Sequence, residues 1–141
     1  MPSLCLPDKL APALTVPLRA GDWEAAGLSR RERSEVERAC GNRPVFLVVK
    51  TATRVDVGEW LANGVVWLAC LDSELVLVAE GRKPFVERAP FSGAAESWYN
   101  EITGELVLSP GEGLSVRKVR VDPVQGYQVI SQLRKEGCSY A

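Results

Sequence analysis

Between residues 65 and 78 lie two apolar runs, Val65-Val66-Trp67-Leu68-Ala69-Cys70-Leu71 and Leu75-Val76-Leu77-Val78, joined by Asp72-Ser73-Glu74. So short a link can only lay the second run antiparallel beside the first, because parallel neighbours need a crossover of a dozen or more residues. The same logic recurs along the chain. Val45-Phe46-Leu47-Val48-Val49 is β-branched and aromatic, and it continues as an alternation in which Lys50, Arg54 and Asp56 interleave with Thr51, Thr53, Val55 and Val57. This predicts a long strand over 45–57 with one wet face in its second half. Gly81-Arg82-Lys83-Pro84 turns the chain into a strand at 85–89, and further strands are expected at 96–100, 105–108 and 114–121. Ile102-Thr103-Gly104 reads as a turn and Gly111-Glu112-Gly113 as part of a loop. Seven short strands at this spacing predict a meandering antiparallel sandwich or barrel.

Helical signals flank the strands. Ser29-Arg30-Arg31-Glu32 has the capping-box pattern, in which the serine hydroxyl and the glutamate each satisfy the other's backbone N–H. A helix is expected to run to about Cys40 and stop at Gly41 in the left-handed region. Its apolar face is thin (Val36, Ala39, Cys40). Its arginines and glutamates alternate, as on a solvated, self-neutralised surface. Before it, prolines at 2, 7, 12 and 17 break any period, so residues 1–27 read as an extended, poorly ordered or draped arm, with Trp23 a candidate to pin its end to the domain. At the other end Asp122 caps and Pro123 opens a helix that Gly137 closes. Val124, Tyr127, Ile130 and Leu133 give it an apolar stripe, and Gly126 inside it implies close approach to the sheet. The organisation read from these signals is an N-terminal arm and charged helix over 1–43, followed by a β domain with its C-terminal helix over 44–137.

The 141 residues carry a formal net charge of −1. A domain that lives on nucleic acid needs a basic total or a dominant basic face, so no nucleic-acid partner is expected. No apolar run approaches the length of a membrane span. The opening residues lack a basic stretch followed by an apolar core, which predicts no signal peptide and a cytoplasmic protein. The four cysteines, at 5, 40, 70 and 138, form no Cys-x-x-Cys pair, and there is no histidine. Neither a disulfide framework nor a metal site is expected, and no cofactor fingerprint is present. Cys70 is assigned to the core.

The lack of histidine also removes the commonest general base and the usual triads. Glu87, Glu96 and Glu101 are available carboxylates, but nothing in their spacing sets a catalytic pair. The expectation is that the chain is not an enzyme. Trp67 belongs to the core. Trp98 and Tyr99 are adjacent in a strand, so they point to opposite faces. Trp60 and Leu61 lie in the loop between Gly58 and Gly64, and apolar loop tips of this kind dock onto partners, so they are candidate partner-binding residues. Lys118 and Arg120 are placed facing water on the last strand, with Arg117 sharing a face with Val119 and Val121.

Seven short antiparallel strands closed by one amphipathic helix, as laid out over about 44–136, resemble the pleckstrin-homology (PH) superfold and in particular the bacterial PH-like domains. Residues 66–78 are similar to the second hairpin of those domains, and the turn at 100–108 and the Asp122-Pro123 helix entry fit the same template. The resemblance implies a mainly β (α+β) fold, a seven-stranded antiparallel barrel or sandwich whose final helix plugs one end. It also implies a binding or scaffolding role. In lipid-binding members, basic residues around the first loop hold phosphates, and the nearest counterparts are Lys50 and Arg54. That loop here carries Asp56 and Glu59, a departure from the pattern. The leading expectation is therefore a module that binds a protein partner or itself. A headgroup- or phosphate-binding domain, with some membrane-surface contact, and a small-ligand pocket are its rivals.

Overall fold

The computed structural model describes residues 14–55, 64–81, 85–108 and 114–134. In chain order these form α1 (Ala20–Ala25), α2 (Arg30–Ala39), β1 (Leu47–Arg54), β2 (Val65–Cys70), β3 (Glu74–Ala79) and β4 (Phe85–Pro90). There follow α3 (Phe91–Ala94), β5 (Trp98–Asn100), β6 (Glu105–Val107), β7 (Lys118–Arg120) and α4 (Pro123–Arg134). The class is α+β. The strands make two antiparallel sheets, one ordered β1-β2-β3-β4 and one β5-β6-β7. Among the described residues no ladder joins the sheets into a closed barrel. They meet at β7 and β1, where the Arg120 backbone N–H donates to the Thr53 hydroxyl at 2.8 Å. A side-chain oxygen stands there in place of a strand carbonyl.

The hairpin of β2 and β3 has Leu68 opposite Leu77 and Trp67 opposite Val78, and its turn is closed by Leu71 N–H on the Glu74 carbonyl at 2.8 Å. These two strands read as unbroken apolar runs because both faces of their sheet are covered. On one face Val49, Leu68 and Leu77 pack with Leu106, Val119 and Ile130 from the small sheet and α4. On the other, Val48, Trp67 and Val76 pack with Trp23, Leu28 and Val36 from the N-terminal segment. The second core joins residues from both sides of position 43.

α2 forms as expected. The Ser29 hydroxyl accepts from Glu32 N–H at 3.2 Å, and the Glu32 carboxylate accepts from Ser29 N–H at 2.9 Å. It ends with Gly41 at φ 66° and Asn42 at φ 59°, two consecutive left-handed residues that turn the chain toward β1. α1 was not expected. Asp22 accepts from Arg19 N–H at 2.8 Å, and that local bond organises a turn which the surrounding prolines conceal. Trp23 does pin this segment, buried at 3% exposure.

Three other expectations need correction. β5 starts at Trp98 rather than at residue 96, after a turn of helix at 91–94. The last strand covers Lys118–Arg120 and not 114–121; the Leu108 N–H still bonds the Arg117 carbonyl at 2.7 Å, but Ser115 before it is turned to the Glu87 carboxylate. Glu87 accepts from Ser115 N–H at 2.7 Å and from the Ser115 hydroxyl at 2.6 Å. In α4, Asp122 caps as expected, accepting from Gln125 N–H at 2.8 Å. The apolar stripe, however, is rotated: Val124 is 70% exposed while Gly126, Val129, Ile130 and Leu133 are buried. The line that faces the small sheet runs through Gly126, which packs directly on the Tyr99 ring.

No helix among the described residues is long and apolar enough to cross a membrane.

Candidate functional site: the open face of the small sheet

Trp60 and Leu61 lie outside the described residues. Lys50 and Arg54 both lie on β1, exposed, with an irregularity in the pairing between them. Four residue steps of extended chain separate them, about 13 Å. Lys50 is committed elsewhere, since its Nζ lies 3.0 Å from Glu32 Oε2 on α2. Partial burial pushes the Glu32 carboxyl up, but the Ser29 backbone hydrogen bond and Lys50 outweigh it and hold Glu32 below the ordinary carboxylate value. A phosphate at Lys50 would have to displace that carboxylate.

The charges of α2 are only in part self-neutralising. Arg33 pairs with Glu37 at 3.4 Å and Arg38 with Glu35 at 3.2 Å. Two others reach off the helix: Arg31 to Glu80, just past β3, and Glu32 to Lys50 on β1. Arg33 also lies over the Trp23 ring, 5.3 Å from its centroid. At the far end of the helix Glu74 receives Arg43 at 3.3 Å and Arg88 at 3.1 Å, and Arg88 also donates to the Ala39 carbonyl. Of these contacts, Arg31–Glu80, Glu32–Lys50 and the Arg88 bond to the Ala39 carbonyl tie α2 to the large sheet.

The small sheet is different. Its register places Trp98, Val107 and Lys118 in one cross-strand row and Asn100, Glu105 and Arg120 in another. The row between them, Tyr99, Leu106 and Val119, faces the core. Side chains alternate across a strand, so the first two rows share the outer face. Trp98 is 49% exposed there, with Lys118 and Arg120 exposed beside it. Arg117, expected on the inner side with Val119, is exposed as well, because it precedes the short β7 rather than lying within it.

A rigid turn adjoins this face. Asn100 Oδ1 accepts from Ile102 N–H at 2.9 Å and from Thr103 N–H at 3.3 Å, and Gly104 N–H returns to the Asn100 carbonyl at 2.8 Å. Gly104 takes φ 75° to close it. The turn holds up Ile102, which is 96% exposed. Val121 N–H donates to the Gly104 carbonyl at 3.0 Å, fixing the turn to the start of α4, where Val124 is also exposed. Behind it the Tyr99 hydroxyl donates to the Val121 carbonyl at 2.8 Å, and the Tyr99 and Tyr127 rings meet edge-on at 5.3 Å. Burial, then the charges of Asp122 and Glu101, push the Tyr99 phenol above its ordinary value.

Of the three carboxylates named from the sequence, Glu96 is exposed between α3 and β5, and the other two are engaged. Glu87 is bound to Ser115, and Glu101 accepts from the Tyr127 hydroxyl. What the outer face offers is contact: a large aromatic ring on a strand, an aliphatic side chain on a locked turn and a basic flank. Tryptophan and arginine are the residues that most often anchor protein interfaces. The alternation of Trp98 with Tyr99 was visible in the sequence, but which of the two faced outward depended on α4. Nothing among the protein-family models, the curated proteins or the solved structures matches this chain.

Proposed function

We infer that this chain is a non-enzymatic, PH-like binding module, acting in the cytoplasm, whose working surface is the outer face of the small sheet. Two antiparallel sheets followed by one packed helix are the arrangement that a PH-like layout requires, and they support that assignment. The observation that carries the binding reading is Trp98, half exposed in a cross-strand row with Lys118 and next to the turn that displays Ile102. The partner that fits is a protein surface with an apolar pocket for the indole and acidic groups opposite Lys118 and Arg120. A second copy of this chain qualifies only if it supplies those groups. The ion pair of Lys50 with Glu32 speaks against phosphate recognition at Lys50 and Arg54.

The test compares proteins cross-linked to the full chain in extract of its native host with those cross-linked to W98S and K118E, alongside light scattering for self-association. The reading expects a defined partner, or a dimer, that is lost in both variants while their melting curves stay like the parent's. It fails if the same set is retained by both variants. Strong, salt-sensitive sedimentation with anionic phosphatidylserine vesicles, abolished by R54E, would instead establish the headgroup reading.

A further inference from the structure

Gln132 lies near the end of α4 with its side chain fully buried. Both ends of its amide are taken by one residue far away in sequence. Leu14 N–H donates to Gln132 Oε1 at 2.8 Å, and Gln132 Nε2 donates to the Leu14 carbonyl at 3.0 Å. An amide side chain presents a donor and an acceptor side by side, so it can bond both polar groups of one extended residue as a neighbouring strand would. That pairing reads main chain and is indifferent to the side chain. The side chain is read separately, since Leu14 packs against the core between the sheets and α4.

The connection to the rest of the arm is slender. Thr15, Val16 and Pro17 are exposed. Leu18 re-enters on the opposite side of the large sheet, where its N–H donates to the Val45 carbonyl at 2.8 Å and its side chain packs with the core under α1 and α2. Leu14 is thus held by the paired amide of Gln132 and by packing against the core, with three exposed residues between it and Leu18. A buried amide with neither bond made is costly, so the seat favours an occupant of any origin that offers the same backbone and an aliphatic group.

We propose that α4 around Gln132 is a recognition slot for an extended peptide segment carrying an aliphatic side chain, and that the segment at Leu14 fills this slot in cis. A peptide from another protein enters by displacing the arm. The slot uses no residue of the small-sheet outer face, so it stands or falls independently of Trp98.

The probe is a labelled synthetic peptide of residues 8–20 of this chain, titrated by fluorescence anisotropy into the full-length protein. Full-length L14D, whose own arm no longer fits, binds it at least about tenfold more tightly than the parent, because a slot that is already occupied weakens apparent affinity by the fraction that is free. Adding Gln132→Met, which keeps the volume and removes both hydrogen bonds, costs L14D at least about tenfold in affinity. The same peptide carrying the L14D change does not bind. A folded L14D chain that binds no peptide overturns the proposal, and so does equal affinity with and without Gln132→Met. Should L14D not fold, Leu14→Ala is judged by the same outcomes.

Discussion

Gly126 of α4 lies so close to the ring of Tyr99 on β5 that a Cβ added to it would stand 2.4 Å from Tyr99 Cδ1. The ring cannot withdraw easily, since its hydroxyl is bonded to the Val121 carbonyl at 2.8 Å and its edge meets Tyr127. Alanine is the better helix former by about 1 kcal/mol. Forcing a methyl into a filled contact costs roughly 1–3 kcal/mol. Packing wins, and G126A is expected to lose about 1–2 kcal/mol in urea unfolding. The loss should shrink in a Tyr99→Leu background. A G126A protein as stable as the parent would show that the helix can lift off the sheet at no cost.

Trp23 is buried under α2 in the same core as Trp67 and Val76 of the large sheet. Trp23→Ala should therefore cost about 3–5 kcal/mol and unfold the chain as one unit. Thermal unfolding followed by far-ultraviolet circular dichroism and by tryptophan fluorescence should give coincident transitions. Two separate transitions, with the strands surviving the first, would mean that the N-terminal segment is an accessory layer.

Glu32 has its folded pKa held below the ordinary value of 4.5 by Ser29 and Lys50, against the opposing pull of burial. The stability this brings is fully present above the unfolded pKa and is lost as pH falls through the folded one. Glu32→Gln should then be less stable than the parent at neutral pH, and the gap should close in acid. Urea midpoints for both proteins across that range check it. A gap that stays constant would assign the effect to packing and not to charge.

Cys40, at the end of α2, is buried with no exposed surface, and burial pushes its thiol up to about 11. In the native protein it should resist iodoacetamide at neutral pH, with alkylation appearing only in denaturant, as read by peptide mass spectrometry. Between the ordinary thiol value of 9.0 and about 11, the unfolded chain releases this proton and the native chain keeps it, so stability should fall as pH rises through that window. Rapid native labelling of Cys40 would mean that α2 opens readily from the sheet.

Features set by neighbours in sequence were legible. The Asp72-Ser73 link dictated the β2–β3 hairpin, Ser29 with Glu32 placed the start of α2, and Asp122-Pro123 placed that of α4. Features set across space were not. Lys50 looked available because its partner, Glu32, comes close only when α2 folds onto the sheet. Val124 looked buried because helical spacing cannot tell which line of α4 meets Tyr99. The last strand looked long because nothing local to it announced that Glu87 would capture Ser115. The outward position of Trp98 follows only once Tyr99 is committed to α4.

Coverage of the large sheet from both sides has a consequence for biosynthesis. The apolar runs of β2 and β3 leave the ribosome well before α4, whose residues seal one of their faces. Until then the nascent hairpin shows water a greasy, β-prone surface of the kind that recruits other chains. The helices translated earlier can shield the opposite flank at once. With α2 upstream, only one of the two faces of this most adhesive stretch has to wait for α4.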